Sequence, residues 1–441
     1  MPKPVVAIVG RPNVGKSSLF NRIVGRREAI VADEPGTTRD RVVAEVTWEG
    51  RSFVLMDTGG LEPHPQDPLR HLVKEQVELA AEEADVIIFL LDAVDGVAPM
   101  DEEIADWLRR KDKRLVVAAN KVDNLARSLS AADTYRLGLG EPFFVSAYHN
   151  TGIYDLLDQV TKLLPEAEPE PPAQEGLARL AIIGRPNVGK SLLLNTILGQ
   201  PRSIVSEEPG TTRDAIDTRF TYKGQSLALV DTAGIRRRGS VQPGVEHYSV
   251  LRAFQAIERA DVVLLVMDAT ELATGQDSHI AGLAWEAHRG VVLVVNKWDL
   301  AAERNLNPEE ATAQIRRVLH FMSYAPIRFT SALLDQGVSE ALETALALHQ
   351  ERSRRVPNDE LQRVVRQVMA EHPPVSQRGR HLDIKRIAQE GINPPLFVFV
   401  VNDPLLVHFS YQRYLENSLR EAFRFNHTHL RLVFRKMEGA R

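Results

Sequence analysis

A chain of 441 residues is long enough for two to four domains that each bury a core of their own. Hydrophobic residues at 44%, charged residues at 26% and a net charge of −5 describe folded globular protein and exclude a chain disordered throughout. The absence of cysteine excludes disulfides, thiolate zinc sites and cysteine nucleophiles, and it fits a reducing compartment.

At the start, Met1–Gly15 lacks a long apolar region followed by a small-residue cleavage site, and Val5–Val9 reads as a short buried strand. Ser17–Val24 then reads as a helix. Apolar, β-branched runs follow at Phe53–Met56, Val86–Leu91, Leu115–Ala119 and Phe143–Val145, with a further helix at Asp155–Leu163. None of these runs approaches the roughly 20 residues needed to cross a bilayer, so the expected location is the cytoplasm.

Pro165–Glu175 holds four prolines, four glutamates and no basic residue. Such a segment cannot bury apolar area and reads as a semi-rigid spacer reaching up to about 34 Å at ~3.1 Å per residue. Beyond it, Leu180–Ile183, Leu227–Val230, Val262–Val266 and Val291–Val295 repeat the strand pattern. Strand alternating with helix in each half predicts a doubly wound, mostly parallel α/β sheet, twice.

After about Arg355 the pattern changes. Asp359–Ala370 and Tyr411–Phe425 read as helices, and Leu382–Ile387, Leu396–Val401 and Leu430–Phe434 as strands, which together make a small α+β domain. The expected organisation is a first domain over 1–164, an acidic linker over 165–177, a second domain over 178–350 and a C-terminal domain over 351–441. From Glu351 onward there are 16 Lys+Arg against 10 Asp+Glu, a net of +6, whereas the remainder has 38 against 49, a net of −11. A basic segment on an acidic body is compatible with a polyanionic partner, and equally with an ordinary solvated surface.

The two halves are copies. Gly10-Arg-Pro-Asn-Val-Gly-Lys-Ser17 recurs unchanged at Gly184–Ser191, offset by 174. Glu34-Pro-Gly-Thr-Thr-Arg-Asp40 recurs as Glu208–Asp214, and Asp57-Thr-Gly-Gly60 returns as Asp231-Thr-Ala-Gly234, both at the same offset of 174. Asn120-Lys-Val-Asp123 returns as Asn296-Lys-Trp-Asp299 at 176, and Ser146-Ala147 as Ser331-Ala332 at 185. Several motifs in one order make chance repetition negligible.

Each motif carries a chemical task. The glycine-rich loop lets backbone N–H groups converge on phosphates at a helix N-terminus. Gly10, Asn13, Gly15, Ser17 and Ser18 would form that cradle in one half, and Gly184, Asn187, Gly189, Ser191 and Leu192 in the other. Lys16 and Lys190 would reach the β- and γ-phosphates. Mg²⁺ would be held by Ser17, Thr38 and Asp57, and by Ser191, Thr212 and Asp231. Gly60 and Gly234 would offer an N–H to the γ-phosphate. Thr38 and Thr212 are read as the switch threonines, with the adjacent Thr37 and Thr211 as the alternative. Lys16, Thr38, Lys190 and Thr212 are therefore the candidates to act on the reacting phosphate.

Base identity comes from the later motifs. Asp123 and Asp299 can accept from guanine N1–H and N2 together, whereas adenine would leave the carboxylate unpaired. At about 1.5–3 kcal/mol per charge-assisted bond this favours guanine. Asn120 and Asn296 would brace the loops, Lys121 and Lys297 would lie over the base, and the backbone of Ala147 and Ala332, after Ser146 and Ser331, would meet guanine O6.

Leu61 and Ile235 stand where many small G proteins place a water-orienting glutamine, which predicts slow intrinsic turnover. Arg236, Arg237 and Arg238 follow in the second switch and read as a face for a polyanion or a neighbouring domain rather than as arginine fingers. His64 and His247 lie near the switches. His427 and His429 share one face of the expected last strand, but no third metal ligand accompanies them.

The tandem pair of motif sets, together with Ile235-Arg-Arg-Arg-Gly239 and the ~90-residue α+β domain that follows, resembles the bacterial EngA/Der GTPases over almost the whole chain. That resemblance implies P-loop GTPase folds, a KH-like C-terminal domain, GTP and Mg²⁺ as ligands, and a role in assembly of the large (50S) ribosomal subunit with contact to rRNA by a monomer. Related GTPases with an asparagine in the phosphate loop use K⁺, which by resemblance assigns K⁺ to Asn13 and Asn187. One departure stands out. From Glu351 onward the glycines are Gly379, Gly391 and Gly439, so the G-x-x-G clamp of RNA-binding KH domains is absent. The C-terminal domain is then expected to dock the G domains or to touch rRNA through Arg431, Arg435 and Lys436. A GTP-gated protein scaffold with incidental hydrolysis is the competing reading.

Overall fold

The structure, a computed structural model, describes residues 3–25, 43–58, 84–111, 113–123, 131–166, 177–199, 203–205, 217–232, 235, 248–374 and 381–436. It divides into two compact units, Met1–Ala173 with Val241–Leu251, and Gln174–Ser240 with Arg252–Arg441. No helix among the described residues is long and apolar enough to cross a membrane.

In the first unit the chain runs β1 (Val5–Val9), α1 (Lys16–Val24), β2 (Val43–Trp48), β3 (Arg51–Asp57), β4 (Val86–Asp92), α2 (Pro99–Arg110), β5 (Arg114–Asn120), β6 (Phe143–Phe144) and α3 (Ile153–Leu163). The sheet order is β2-β3-β1-β4-β5-β6, parallel except for the β2–β3 hairpin. β4 is buried along its whole length, which is why it reads as an unbroken apolar run rather than an alternating one. α1 buries Leu19, Phe20, Ile23 and Val24, one stripe of a 3.6-residue period, against that sheet. The hairpin strand β2 escapes the apolar-run reading because it alternates. Its turn, Glu49-Gly50, takes positive φ values of 45° and 78° without the Asn-Gly signature that usually marks such turns.

The second unit repeats the plan with β7 (Ala178–Ile183), α4 (Lys190–Gly199), β8 (Ser203–Val205), β9 (Thr218–Tyr222), β10 (Gln225–Val230), α5 (Tyr248–Arg259, in this unit from Arg252), β11 (Val262–Asp268), α6 (Gly275–Glu286), β12 (Gly290–Asn296), α7 (Pro308–Val318), β13 (Ile327–Phe329) and α8 (Val338–Ser353). Its order is β13-β12-β11-β7-β10-β9-β8. In both sheets the strand that feeds the phosphate loop, β1 or β7, lies where the strand order reverses, the place where open α/β sheets bind ligands.

α8 crosses position 350 unbroken and leads to α9 (Asn358–Glu371), β14 (Ile384–Gly391), β15 (Leu396–Val401), α10 (Phe409–Phe423) and β16 (Arg431–Lys436). β15 pairs antiparallel with β14 and parallel with β16. Phe397, Phe399, Leu361, Leu415, Leu419 and Phe425 form the core between this sheet and its two helices. β14 extends beyond the expected Leu382–Ile387 because Gln389, polar in sequence, is buried. Its Oε1 accepts from Val356 N (2.7 Å) and its Nε2 donates to Arg354 O (3.0 Å). His427 and His429 precede β16 rather than sharing a strand face. His427 is exposed and His429 is stacked on His288 at 4.7 Å, and no metal-holding group of three acidic, His or Cys residues occurs among the described residues.

This C-terminal body docks on the strand-start end of the second sheet. Arg352, fully buried in α8, donates to Asn393 Oδ1 (2.8 Å), Thr428 Oγ1 (3.0 Å) and His288 O (2.7 Å). Asn393 in turn donates to Asp261 Oδ1 at 2.5 Å. A Cβ on Gly290 would stand 2.8 Å from Arg352 Cδ, so the glycine makes room for the arginine. Burial, reinforced by Arg431, Arg352 and Arg289, pushes His288 down to about 4, and burial holds His429 well below the ordinary histidine range. Both imidazoles are therefore neutral where they stack.

Candidate nucleotide sites

Each phosphate loop needs glycine at its ends. A Cβ on Gly10 (φ 155°) would fall 2.3 Å from Leu90 O, and one on Gly184 (φ 149°) 2.3 Å from Val266 O. At Gly15 and Gly189, both with φ 95°, a Cβ would strike Asn120 Nδ2 at 2.4 Å and Asn296 Nδ2 at 2.3 Å. Between them Asn13 and Asn187 take left-handed φ values of 67° and 64°, a conformation asparagine tolerates, and both are exposed. The loop then delivers its chain into α1 or α4, whose first N–H groups lack intrahelical partners and favour an anion. Lys16 folds back across the loop, donating to Gly10 O and Arg11 O at 2.9 Å each. Lys190 does the same to Gly184 O (2.8 Å) and Arg185 O (2.5 Å). Ser18 and Leu192 lie exposed in the first helical turn behind these lysines.

The base motifs are wired to the same loops. Asn120, buried at the end of β5, donates to Val14 O (2.9 Å) and accepts from Ala147 N (3.1 Å). Asn296 repeats this with Val188 O (2.9 Å) and Ala332 N (3.0 Å) and also accepts from Thr330 Oγ1 (3.2 Å). Lys121 and Lys297 have left-handed φ values of 68° and 60° that lift them off their strands. Ser146 Oγ donates to Asp123 Oδ1 at 2.7 Å. In the second site the Ser331 hydroxyl accepts from Leu334 N (3.2 Å), and Asp299 Oδ1 is shielded from water without a hydrogen-bond partner among the described residues. A sequestered carboxylate oxygen of that kind is a strong acceptor awaiting a donor.

At the strand ends, Asp57 is buried and Thr58 ties β3 to β1 by donating to Ile8 O at 2.7 Å. Asp231 closes β10 with φ 54°, its N–H on Asp217 Oδ1 (3.1 Å). Ser17 and Ser191 are both exposed at the starts of α1 and α4, and Ser191 Oγ donates to Ile235 O at 3.0 Å. The Ile235 side chain is sunk in the second core. Thr38, Thr212, Gly60 and Gly234, with Thr37, Thr211, Leu61, Arg236, Arg237, Arg238, His64 and His247, lie outside the described residues. The hydroxyl and carboxylate oxygens of Ser17 with Asp57, and of Ser191 with Asp231, are the donor chemistry a hard cation such as Mg²⁺ takes.

Two acidic residues join the candidate base sites without any motif announcing them. Lys121 Nζ donates to Asp92 Oδ2 (2.5 Å) and Asn13 O (3.2 Å), and Lys297 Nζ to Asp268 Oδ2 (2.6 Å). Burial alone would raise the Asp92 and Asp268 carboxyls, but the lysine and nearby amide or hydroxyl donors hold both below the ordinary range. The signal was the repeat: each aspartate ends an all-apolar strand, 176 residues apart.

A family model described as 50S ribosome-binding GTPase matches residues 5–121 and again 179–297. A second, described as KH-domain-like of EngA bacterial GTPase enzymes, C-terminal, matches residues 355–435. A GTPase Der of Herpetosiphon aurantiacus is 47% identical over 445 residues, covering 99% of this chain and 98% of its own. The GTPase Der of Thermomicrobium roseum is 50% identical over 446 residues, covering 99% and 97%. That of Moorella thermoacetica is 50% identical over 437, covering 99% of both. Among solved structures, Era in complex with MgGDPNP and nucleotides of 16S ribosomal RNA aligns with 73% of this chain and 99% of its own, at 22% identity and a TM-score of 0.32. Two matched G domains, the matched C-terminal domain and end-to-end identity near one half place the chain in the Der (EngA) family of tandem-domain GTPases, enzymes that bind and hydrolyse GTP.

Proposed function

We propose that both cradles bind GTP and that together they gate association with the large ribosomal subunit and its rRNA during assembly, in the cytoplasm, by a monomer. One observation carries this reading: the same network of lysine, asparagine and Ser-Ala loop is built twice, and the second copy is fastened to a basic KH-like body. The family to which both halves belong is described as 50S ribosome-binding, and Arg431, Arg435 and Lys436 stand exposed on β16 as contacts for a phosphate backbone.

In this reading the loop N–H groups, Lys16 and Lys190 hold the β- and γ-phosphates in line for attack by water, and Asp123 and Asp299 select guanine. Mg²⁺ is held by Ser17, Asp57 and Thr38, and by Ser191, Asp231 and Thr212, and neutralises phosphate charge. Asn13 and Asn187, exposed on left-handed backbone at the loop tips, present amide oxygens suited to K⁺. Turnover is slow, since neither Leu61 nor Ile235 can orient a water and Ile235 is packed into its core.

Sedimentation with separated ribosomal subunits tests the gate. Co-migration with large subunits only when both sites hold a GTP analogue is the expected result. Binding indifferent to nucleotide and subunit overturns the reading in favour of a protein scaffold. Unchanged hydrolysis after K⁺ is exchanged for Na⁺ removes the K⁺ assignment alone.

A further inference from the structure

The phosphate loops carry a second cation that the nucleotide reading does not use. Arg11 directs Nε to Asp101 Oδ2 (3.1 Å) and Nη2 to Asp95 Oδ2 (3.2 Å), its side chain only 15% exposed. In the other half Arg185, also 15% exposed, pairs through Nη1 with Glu271 Oε2, donates from Nη2 to Glu271 O (2.8 Å), and brings Nε within 3.6 Å of Asp277 Oδ1. Arg11 and Arg185 are 174 apart in sequence, while Asp95 and Glu271, and Asp101 and Asp277, are each 176 apart. The same arginine therefore meets the same two acids in both halves: a fully buried aspartate and an exposed carboxylate.

The buried acid also anchors a helix. Asp101 Oδ2 accepts from Ala98 N (3.0 Å) at the start of α2, and Asp277 Oδ2 from Thr274 N (3.0 Å) at the start of α6. Burial pushes both carboxyls above the ordinary range, against those amides and the arginine, and in each the Oδ1 atom lacks a hydrogen-bond partner among the described residues. At its other end the arginine is continuous with function, because the backbone carbonyls of Arg11 and Arg185 orient the Nζ atoms of Lys16 and Lys190.

We propose that Arg11 and Arg185 are positioning residues: each pins the first variable residue of its phosphate loop to the helix that follows the neighbouring strand, and thereby sets where the loop lysine points. The inference rests on the phosphate loops being the GTP sites.

The test is nucleotide titration of the full chain with fluorescent GTP and GDP analogues, resolving two sites, together with a thermal melt. Arg11→Gln and Asp101→Asn should each weaken GTP at one site by about tenfold and up to about a hundredfold, the cost of a misplaced contact. GDP, which lacks the γ-phosphate, should weaken less, and the other site should not change. Arg11→Lys should restore part of the affinity, and Asp95→Asn, altering an exposed side chain that cannot threaten the fold, should show a smaller loss of the same kind. Arg185→Gln should reproduce the effect at the other site. A lowered melting temperature with both affinities unchanged overturns the proposal, as does tighter GTP binding, which would mean that the clamp restrains the arginine from the phosphates. If Lys16→Ala also leaves two nucleotides bound, the site assignment itself has failed; if it removes one while Arg11→Gln changes nothing, only the clamp has.

Discussion

The two G domains share their ligand-facing motifs and differ at the opposite end of the sheet. Asp85 and Asp261 occupy the same place ahead of β4 and β11, and each accepts a backbone N–H from the start of the central strand, Val5 N and Arg179 N, at 2.8 Å. In the second domain the other oxygen of Asp261 is taken by Asn393. At the start of β12 stands Gly290, which admits Arg352; its counterpart 176 residues earlier is Arg114, at the start of β5, bonded to Leu163 O at 2.7 Å. Duplication has kept the phosphate-loop and Asn-Lys-x-Asp motifs and rewritten the strand starts, turning one domain into a dock. The binding loops differ too. Asp123 is met by Ser146, whereas Asp299 Oδ1 has no hydrogen-bond partner among the described residues.

The largest test of this comparison is at the ligand end, where the halves should behave alike. Lys16→Ala and Lys190→Ala should each weaken one site about a thousandfold, the loss of two charge-assisted bonds. Equilibrium dialysis should then count one nucleotide per chain, and two in both variants would contradict the assignment. The next is at the strand-start end, where they should part. Arg352→Ala removes three hydrogen bonds and a buried side chain, so the second unit should lose about 3–5 kcal/mol while the first is untouched. Chemical denaturation followed by a probe in each unit would show one transition shifting; a shift of both, or of neither, breaks the contrast.

The smallest expected effect is one of pH. His288 and His429 are neutral when docked, with Arg289, Arg352, Arg420, Arg431 and the Tyr324 hydroxyl around them, and His349 nearby is likewise pushed down by burial. Because their folded values lie below the free value of about 6.5, the unfolded chain takes up more protons on acidification. The second unit should be most stable above about pH 6.5 and lose stability as the pH falls towards 4. His288→Asn should flatten the second unit's melting temperature over that window.

The phosphate loop of each candidate nucleotide site was legible in the sequence because its geometry is local. A strand, a glycine loop and a helix occur in order, and each glycine is required by a backbone or amide less than 3 Å away. The hairpins β2–β3 and β9–β10 were half hidden, since Glu49-Gly50 and Lys223-Gly224 make the turn with residues that do not advertise it. The dock was not legible at all. Arg352 lies in a charged helix end, Glu351-Arg-Ser-Arg-Arg355, which reads as a solvated surface; only the chain's return at Asn393 and Thr428 shows that this one arginine is interior. Asp101 and Asp277 were missed for the same reason, their partners lying about 90 residues away.

Asp261 gives the second domain a mechanical property the first does not share. The KH-like body is fixed at the roots of β7, β11 and β12, and the GTP loops spring from their tips. A pull on that body is carried along strands paired in parallel from Val262↔Gly290 to Asp268↔Asn296. Such a ladder is loaded in shear, so its hydrogen bonds share the force instead of peeling one by one. A tug from whatever the C-terminal body grips would travel the length of the sheet and arrive at Asn296, which holds the second phosphate loop through Val188 O.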